Sequence, residues 1–120
     1  MADEPMAECS FLIPVSRDAE LSDGQPHARR LWEWLHIELE TRFGGWTLAP
    51  GVFTAAYIDP DTKATVRDKS RRYTIAIPEN EIEDVRRLLS GVCVLFQQKC
   101  IYLSVAGRVE FIEAPKRGKK

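Results

Sequence analysis

Apolar and polar positions first alternate in this chain over residues 10–15. Phe11, Ile13 and Val15 share one parity while Ser10, Leu12 and Pro14 share the other, predicting a short strand with one apolar face. Pro14 cannot donate to a ladder and belongs near the end of that strand or at a bulge. The period then changes. Asp23-Gly24 marks a turn, Pro26 fits the first position of a helix, and Ala28, Leu31, Trp32, Leu35, Leu39 and Phe43 recur at three- and four-residue steps. That is one apolar stripe of about five turns, stopped by Gly44-Gly45.

Two extended segments follow, residues 46–58 and 64–77, around the turn sequence Asp59-Pro60-Asp61-Thr62-Lys63, so a hairpin is expected. Pro50-Gly51 interrupts the first as a bend, a bulge or a break into two short strands. Asn80 with Glu83 resembles a capping box opening a second helix, whose stripe is Ile82, Val85, Leu89, Val92, Cys93 and Phe96. Ile101, Leu103 and Val105 alternate as a last strand. After Ala106-Gly107-Arg108, Val109, Phe111 and Ile112 continue it or add a short edge strand.

The element order is β-α-β-β-α-β. It predicts an α+β fold of the ferredoxin-like kind: a four-stranded antiparallel sheet with two helices on one face, the first and third strands central. Residues 10–113 form the one domain, residues 1–9 a disordered acidic start and residues 114–120 a mobile basic tail. At 120 residues the chain suffices for a single core without a metal or disulfide staple.

Composition narrows the function classes. Seventeen basic against eighteen acidic residues give a net charge of −1, which removes a whole-molecule attraction to nucleic acid or anionic membrane. Cys9, Cys93 and Cys100 have no paired spacing for a disulfide framework or zinc site. The start carries acids where a signal peptide carries bases, and no apolar run reaches membrane-spanning length. A cytoplasmic protein with no membrane partner is expected.

No familiar catalytic constellation is legible: no catalytic, cofactor-binding or metal residue can be assigned, and no cofactor is implied. His27 and His36, nine residues apart, would lie on opposite sides of one helix as partly exposed polar residues. Asp59 cannot begin an EF-hand loop, because the sixth and twelfth places hold Ala64 and Ser70. Asp68 lies among Arg67, Lys69, Arg71 and Arg72, and those cations would keep it ionised, a poor general acid. Arg67, Lys69 and Arg71 are candidate phosphate contacts, although the third strand lacks the glycine and outward aromatics of an RNA-binding sheet. Tyr73 shares the parity of Ile75 and Ile77 and should face the helices. The opposite, open face would carry Leu12, Arg72, Thr74, Tyr102 and Ser104, a weakly polar surface with Trp46 at its margin.

Phe43-Gly44-Gly45-Trp46-Thr47, Arg72-Tyr73, Phe96-Gln97-Gln98 and Gly107-Arg108-Val109-Glu110-Phe111-Ile112 make residues 10–112 resemble a group of small uncharacterised bacterial proteins. The resemblance implies the fold and no activity. The leading reading is a non-catalytic interaction or regulatory module that self-associates, or takes a protein partner, through Leu12, Trp46, Arg72, Thr74 and Tyr102. One alternative is a small enzyme or ligand-binding protein of the dimeric α+β barrel type, with Arg72, Tyr73 and Tyr102 as its polar lining. The other is a nucleic-acid-binding protein using Arg67, Lys69 and Arg71 on the hairpin.

Overall fold

The computed structural model describes residues 5–59 and 61–116; Pro60, the first four residues and most of the basic tail lie outside them. The strands are β1 (Met6–Pro14), β2 (Thr47–Leu48), β3 (Phe53–Ile58), β4 (Thr65–Pro78), β5 (Cys100–Val105) and β6 (Arg108–Glu113). The helices are α1 (Arg29–Phe43) and α2 (Ile82–Leu95), the latter entered through a 3-10 turn over Glu79–Glu81. All strand pairs are antiparallel, in the order β2-β4-β1-β5-β6, with β3 also on β4.

The sheet therefore has six strands rather than the expected four, within the α+β class. Residues 49–52, including Pro50-Gly51, divide the second extended segment, so that β2 pairs with Thr74 and Tyr73 while β3 pairs further along, with residues 65–70. The turn Ala106-Gly107 has φ of 50° and 85°, the two left-handed residues a two-residue hairpin requires, and it folds β6 back onto β5. β1 also starts at Met6, inside the stretch expected to be disordered. Its backbone is held on both sides, by β4 and by β5.

The core fills one face. Cys9, Phe11 and Ile13 of β1, Tyr73, Ile75 and Ile77 of β4, and Ile101, Leu103 and Val105 of β5 meet Trp32, Leu35 and Leu39 of α1 and the Val85–Cys93 stripe of α2. This matches the parities and helical stripes of the sequence, because only these spacings put every apolar side chain on the covered side. The helix boundaries differ from expectation. α1 begins at Arg29 rather than Pro26, because the preceding chain still follows the sheet, where Ser16 bridges Pro26 and His27 donates its backbone N–H to Val15. The Asn80–Glu83 capping box does not form: α2 starts at Ile82, and no side chain caps it. Gly44, at φ 86°, ends α1 with its N–H on the Glu40 carbonyl at 3.0 Å.

Candidate functional site

β4 is longer than its neighbour β1. Pro14 is paired with Ser70, and the last tie beyond is Val15 N–H donating to the Lys69 carbonyl at 2.8 Å. From Asp68 back to Thr65 the strand is paired on the β3 side alone, so its other backbone edge is open. The chain leaving β1 turns away and closes on itself. Arg17 grips Asp23 through two bonds of 2.7 and 3.0 Å, and the Asp18 carboxylate accepts the N–H groups of Glu20 and Leu21. Between this loop and the hairpin end lies a cleft of about 540 Å³.

The far wall is pinned by charge. Asp59 turns the hairpin by accepting the N–H groups of Asp61 and Thr62 at 2.7 and 3.1 Å, the turn role expected of it. Lys99, between α2 and β5, donates to Asp59 at 3.2 Å and to Glu20 of the loop, so one ammonium spans both walls. The Asp59 backbone bonds, with Lys99, hold its carboxyl below the usual range. Gln98 Nε2 donates to the Ser16 carbonyl at 2.8 Å, anchoring the loop from beneath.

Tyr57 and Asp68 line this cleft from adjacent strands. In the β3–β4 register Tyr57 opposes Val66 and Ala55 opposes Asp68, so both side chains belong to one face, two positions apart. Burial raises the Asp68 carboxyl above the ordinary range, and the charge of Asp18 adds to it. This corrects the expectation that flanking cations govern Asp68. Strand alternation sends Arg67 and Lys69 to the opposite face, and no hydrogen bond among the described residues holds the Asp68 carboxylate. The Tyr57 phenol is likewise raised, first by burial and then by Asp68, so it stays protonated at neutral pH as a donor. A half-buried carboxylate with a raised pKa in a cleft is a mark of functional sites. Tyr57 carried no distinguishing pattern in the sequence, and the signal for Asp68, a lone acid in a basic strand, points the wrong way without three-dimensional context.

The sequence-predicted residues are distributed over both faces. Arg72, Leu12, Tyr102 and Phe111 form one row across the open face by register, with the Ser10–Thr74 hydroxyl pair (3.0 Å) beside it. Trp46 is not with them: it stacks on His36 at 4.0 Å on the helix side and donates Nε1 to Glu40. Tyr73 is fully buried on the helix side, with its hydroxyl 2.8 Å from His36 Nε2, so Arg72, Tyr73 and Tyr102 cannot line one cavity. Arg67 and Lys69 border the cleft, whereas the Arg71 guanidinium sits 4.0 Å from the Trp32 ring centre. His27 precedes α1 and is buried against Trp32 and Phe96, so it is not the partly exposed helix residue expected, whereas His36 lies half-buried within α1 as expected. The Cys100 thiol is raised by burial, with Glu113 and Asp68 adding, and the Cys93 thiol is pushed up to about 12, so neither is a ready nucleophile. Among the described residues no three His, Cys, Asp or Glu side chains converge as a metal site, and no helix is long and apolar enough to cross a membrane.

No protein-family model matches the chain, and neither does any curated protein. Two solved structures share its fold. A phage SAM lyase in complex with S-methyl-5'-thioadenosine superposes with a TM-score of 0.71 at 12% identity, over 95% of this chain and 94% of that one. A phage SAM lyase in the apo state gives 0.60, again at 12% identity, over 98% and 96%. At this identity the likeness establishes the small α+β fold. Both neighbours are enzymes, and this overturns the reading of the chain as a non-catalytic protein–protein interaction module. The small-enzyme alternative is the better supported.

Proposed function

We propose that this chain is a small lyase that cleaves S-adenosylmethionine to S-methyl-5'-thioadenosine, using the cleft between residues 16–24 and the β3–β4 hairpin. The observation that carries the reading is the fold agreement with a phage SAM lyase over almost the full length of both chains. The cleft supports it independently. Among the described residues the Asp18 and Asp68 carboxylates that line it have no salt-bridge partner, so unpaired negative charge faces a substrate that carries an ammonium and a sulfonium.

The chemistry balances without water. The substrate carboxylate attacks its own Cγ; a C–O bond forms, the Cγ–S bond breaks, and the electron pair neutralises the sulfonium. The products are S-methyl-5'-thioadenosine and a five-membered lactone that keeps the ammonium. Such an intramolecular displacement gains from orientation alone, worth about 7–11 kcal/mol at best. Elimination would instead require removal of an unactivated Cβ proton, for which a carboxylate is too weak a base. Asp68 has its best use on the substrate ammonium, whose charge persists through the reaction. Placed against the sulfonium it would stabilise the ground state more than the transition state. Tyr57, protonated, donates to substrate oxygen.

Incubation of the purified protein with S-adenosylmethionine, followed by chromatography, should show S-methyl-5'-thioadenosine and homoserine lactone in equal amounts. The thioether alone should raise the melting temperature. No product above the protein-free control, together with no thermal shift, would sink the proposal. Vinylglycine in place of the lactone would replace displacement by elimination.

A further inference from the structure

The edge of β4 that borders the cleft carries backbone groups with no use in the fold. In an antiparallel strand the N–H and C=O of one residue point to the same side, and alternate residues point to opposite sides. The Lys69 carbonyl accepts Val15 N–H at 2.8 Å, so Lys69, Arg67 and Thr65 turn their backbone groups toward the β1 side. Ala64, whose carbonyl accepts Asp59 N–H at 2.9 Å, turns its own toward β3, and Val66 and Asp68 follow it.

The exchange at Val15 is one-sided. A complete ladder pair would return the Val15 carbonyl to Lys69 N–H. That carbonyl instead accepts His27 N–H at 3.3 Å, where the chain turns toward α1. Lys69 N–H is therefore without a partner among the described residues, and so is the Arg67 carbonyl. Both residues are exposed and line the cleft, and no strand pairs over this side of them. One acceptor and one donor thus stand where a continued β1 would have bonded, and Asp68 lies between them in the chain.

Their complement is a group with a donor and an acceptor about one residue's width apart. An added peptide strand meets that demand through its main chain, but leaves the Asp68 carboxylate unpaired. The amino-acid end of S-adenosylmethionine meets it and pairs Asp68 as well, because its donor is an ammonium. We infer that this edge is the substrate's amino-acid subsite: the ammonium bonds the Asp68 carboxylate and the Arg67 carbonyl, and one carboxylate oxygen accepts Lys69 N–H. The other oxygen is left free to attack Cγ. The inference rests on the lyase reading and adds to it the groups that orient the nucleophile. A neutral backbone donor fixes the carboxylate while drawing off less of its charge than a cation would.

The test compares two ligands. S-adenosylhomocysteine keeps the amino-acid end and, having no sulfonium, does not react; S-methyl-5'-thioadenosine lacks that end. By calorimetry the parent should bind the first about tenfold more tightly than the second. Lys69→Pro removes the N–H at a position where the ladder makes no use of it, and should erase that ratio and lower kcat/KM about tenfold. Lys69→Ala loses the side chain alone and should retain the ratio. In the parent, NMR should show the Lys69 amide proton moving downfield with S-adenosylhomocysteine and not with the thioether, a readout that needs no variant. A Lys69 amide that responds alike to both ligands, or equal ratios in the proline and alanine variants, overturns the subsite and leaves the lyase reading intact. No binding of either ligand, together with no product from S-adenosylmethionine, overturns the lyase reading and the subsite with it.

Discussion

Residues 73–77 and residues 65–69 belong to the same strand, β4, yet they live in different environments. Tyr73, Ile75 and Ile77 lie against Phe11, Cys9 and Ala7 of β1 under α1 and α2, and all three are buried. Thr65 to Lys69 pair on one side with β3, face no helix, and carry three charged side chains. The inner half repeats the logic of a protein core: apolar parity, ring stacking (Phe11 on Tyr73 at 5.6 Å) and no free charge. The outer half has little to bury, so its shape depends on turn chemistry and ion pairs, and its open edge and half-buried acid are free for a ligand. Stability is thus concentrated where the strand is covered, and the proposed chemistry where it outruns its cover.

The contrast is broken most forcefully from the core side. Phe11→Ala should cost about 3–5 kcal/mol, a large part of what a domain of this size has available. In the outer half Ile58, exposed by 59%, packs on little, and Ile58→Ser should stay within about 0.5 kcal/mol. Urea unfolding of both variants measures the difference. Comparable losses would mean that the hairpin end belongs to the cooperative core.

Asp68→Asn examines the outer half from the side of function. If Asp68 holds the substrate ammonium, loss of that charged hydrogen bond should lower kcat/KM about 10- to 100-fold, mostly through KM. Stability should move the other way. Because its folded pKa is raised above the ordinary 3.8, Asp68 contributes stability below that value and loses it as pH rises through the folded pKa. At neutral pH the asparagine variant should melt no lower than the parent. A variant that is both inactive and less stable would make Asp68 a structural residue.

The same division explains what the sequence makes legible. Both helical stripes, the buried parity of Tyr73, the Gly44 stop and the hairpin around Asp59 are local patterns, and each appears in the structure as its spacing requires. The strand count was ambiguous because Pro50-Gly51 and Ala106-Gly107 admit either a bend or a division, and only pairing partners decide between them. The cleft was not legible at all. It arises because β4 extends past β1, a matter of relative strand length, and because Asp18, some fifty positions away in sequence, faces Asp68. Reading Asp68 against its sequence neighbours gave the wrong electrostatics, since alternation removes those neighbours to the other face. His27 was misassigned for a related reason: α1 starts two residues after it, so a helical wheel does not apply there.

A smaller effect concerns the covered side. His27 and His36 are both harder to protonate than usual, chiefly through burial, with Arg71 acting on each. Their folded pKa values lie below the ordinary 6.5, so the unfolded chain takes up protons first as pH falls. The associated stability is present above 6.5 and lost as pH drops through the folded values. The urea midpoint should therefore decline between pH 7.5 and 5.5, and His27→Gln, which can still donate to the Pro14 carbonyl, should flatten that decline. An unchanged slope would remove His27 as a source.

Lys99 gives the smallest effect and the sharpest one, because it belongs to neither half. Its ammonium joins Glu20 of the loop to Asp59 of the hairpin, holding together the two walls that the sheet itself leaves apart. The partners are unequal. Glu20 is more than half exposed and loses little when the bridge goes, while Asp59 is almost covered yet keeps its two backbone N–H donors. Lys99→Met should then change the melting temperature only slightly, since partly exposed pairs contribute little to folding. What should change is the spacing of the cleft walls: KM for S-adenosylmethionine should rise severalfold with kcat nearly kept, and Lys99→Arg should restore it. The parent's KM should also rise with salt in a way the methionine variant does not share. If Lys99→Met instead lowered stability as much as a core truncation, the outer half of β4 would depend on this bridge for its fold, and the separation between covered strand and working strand would not hold.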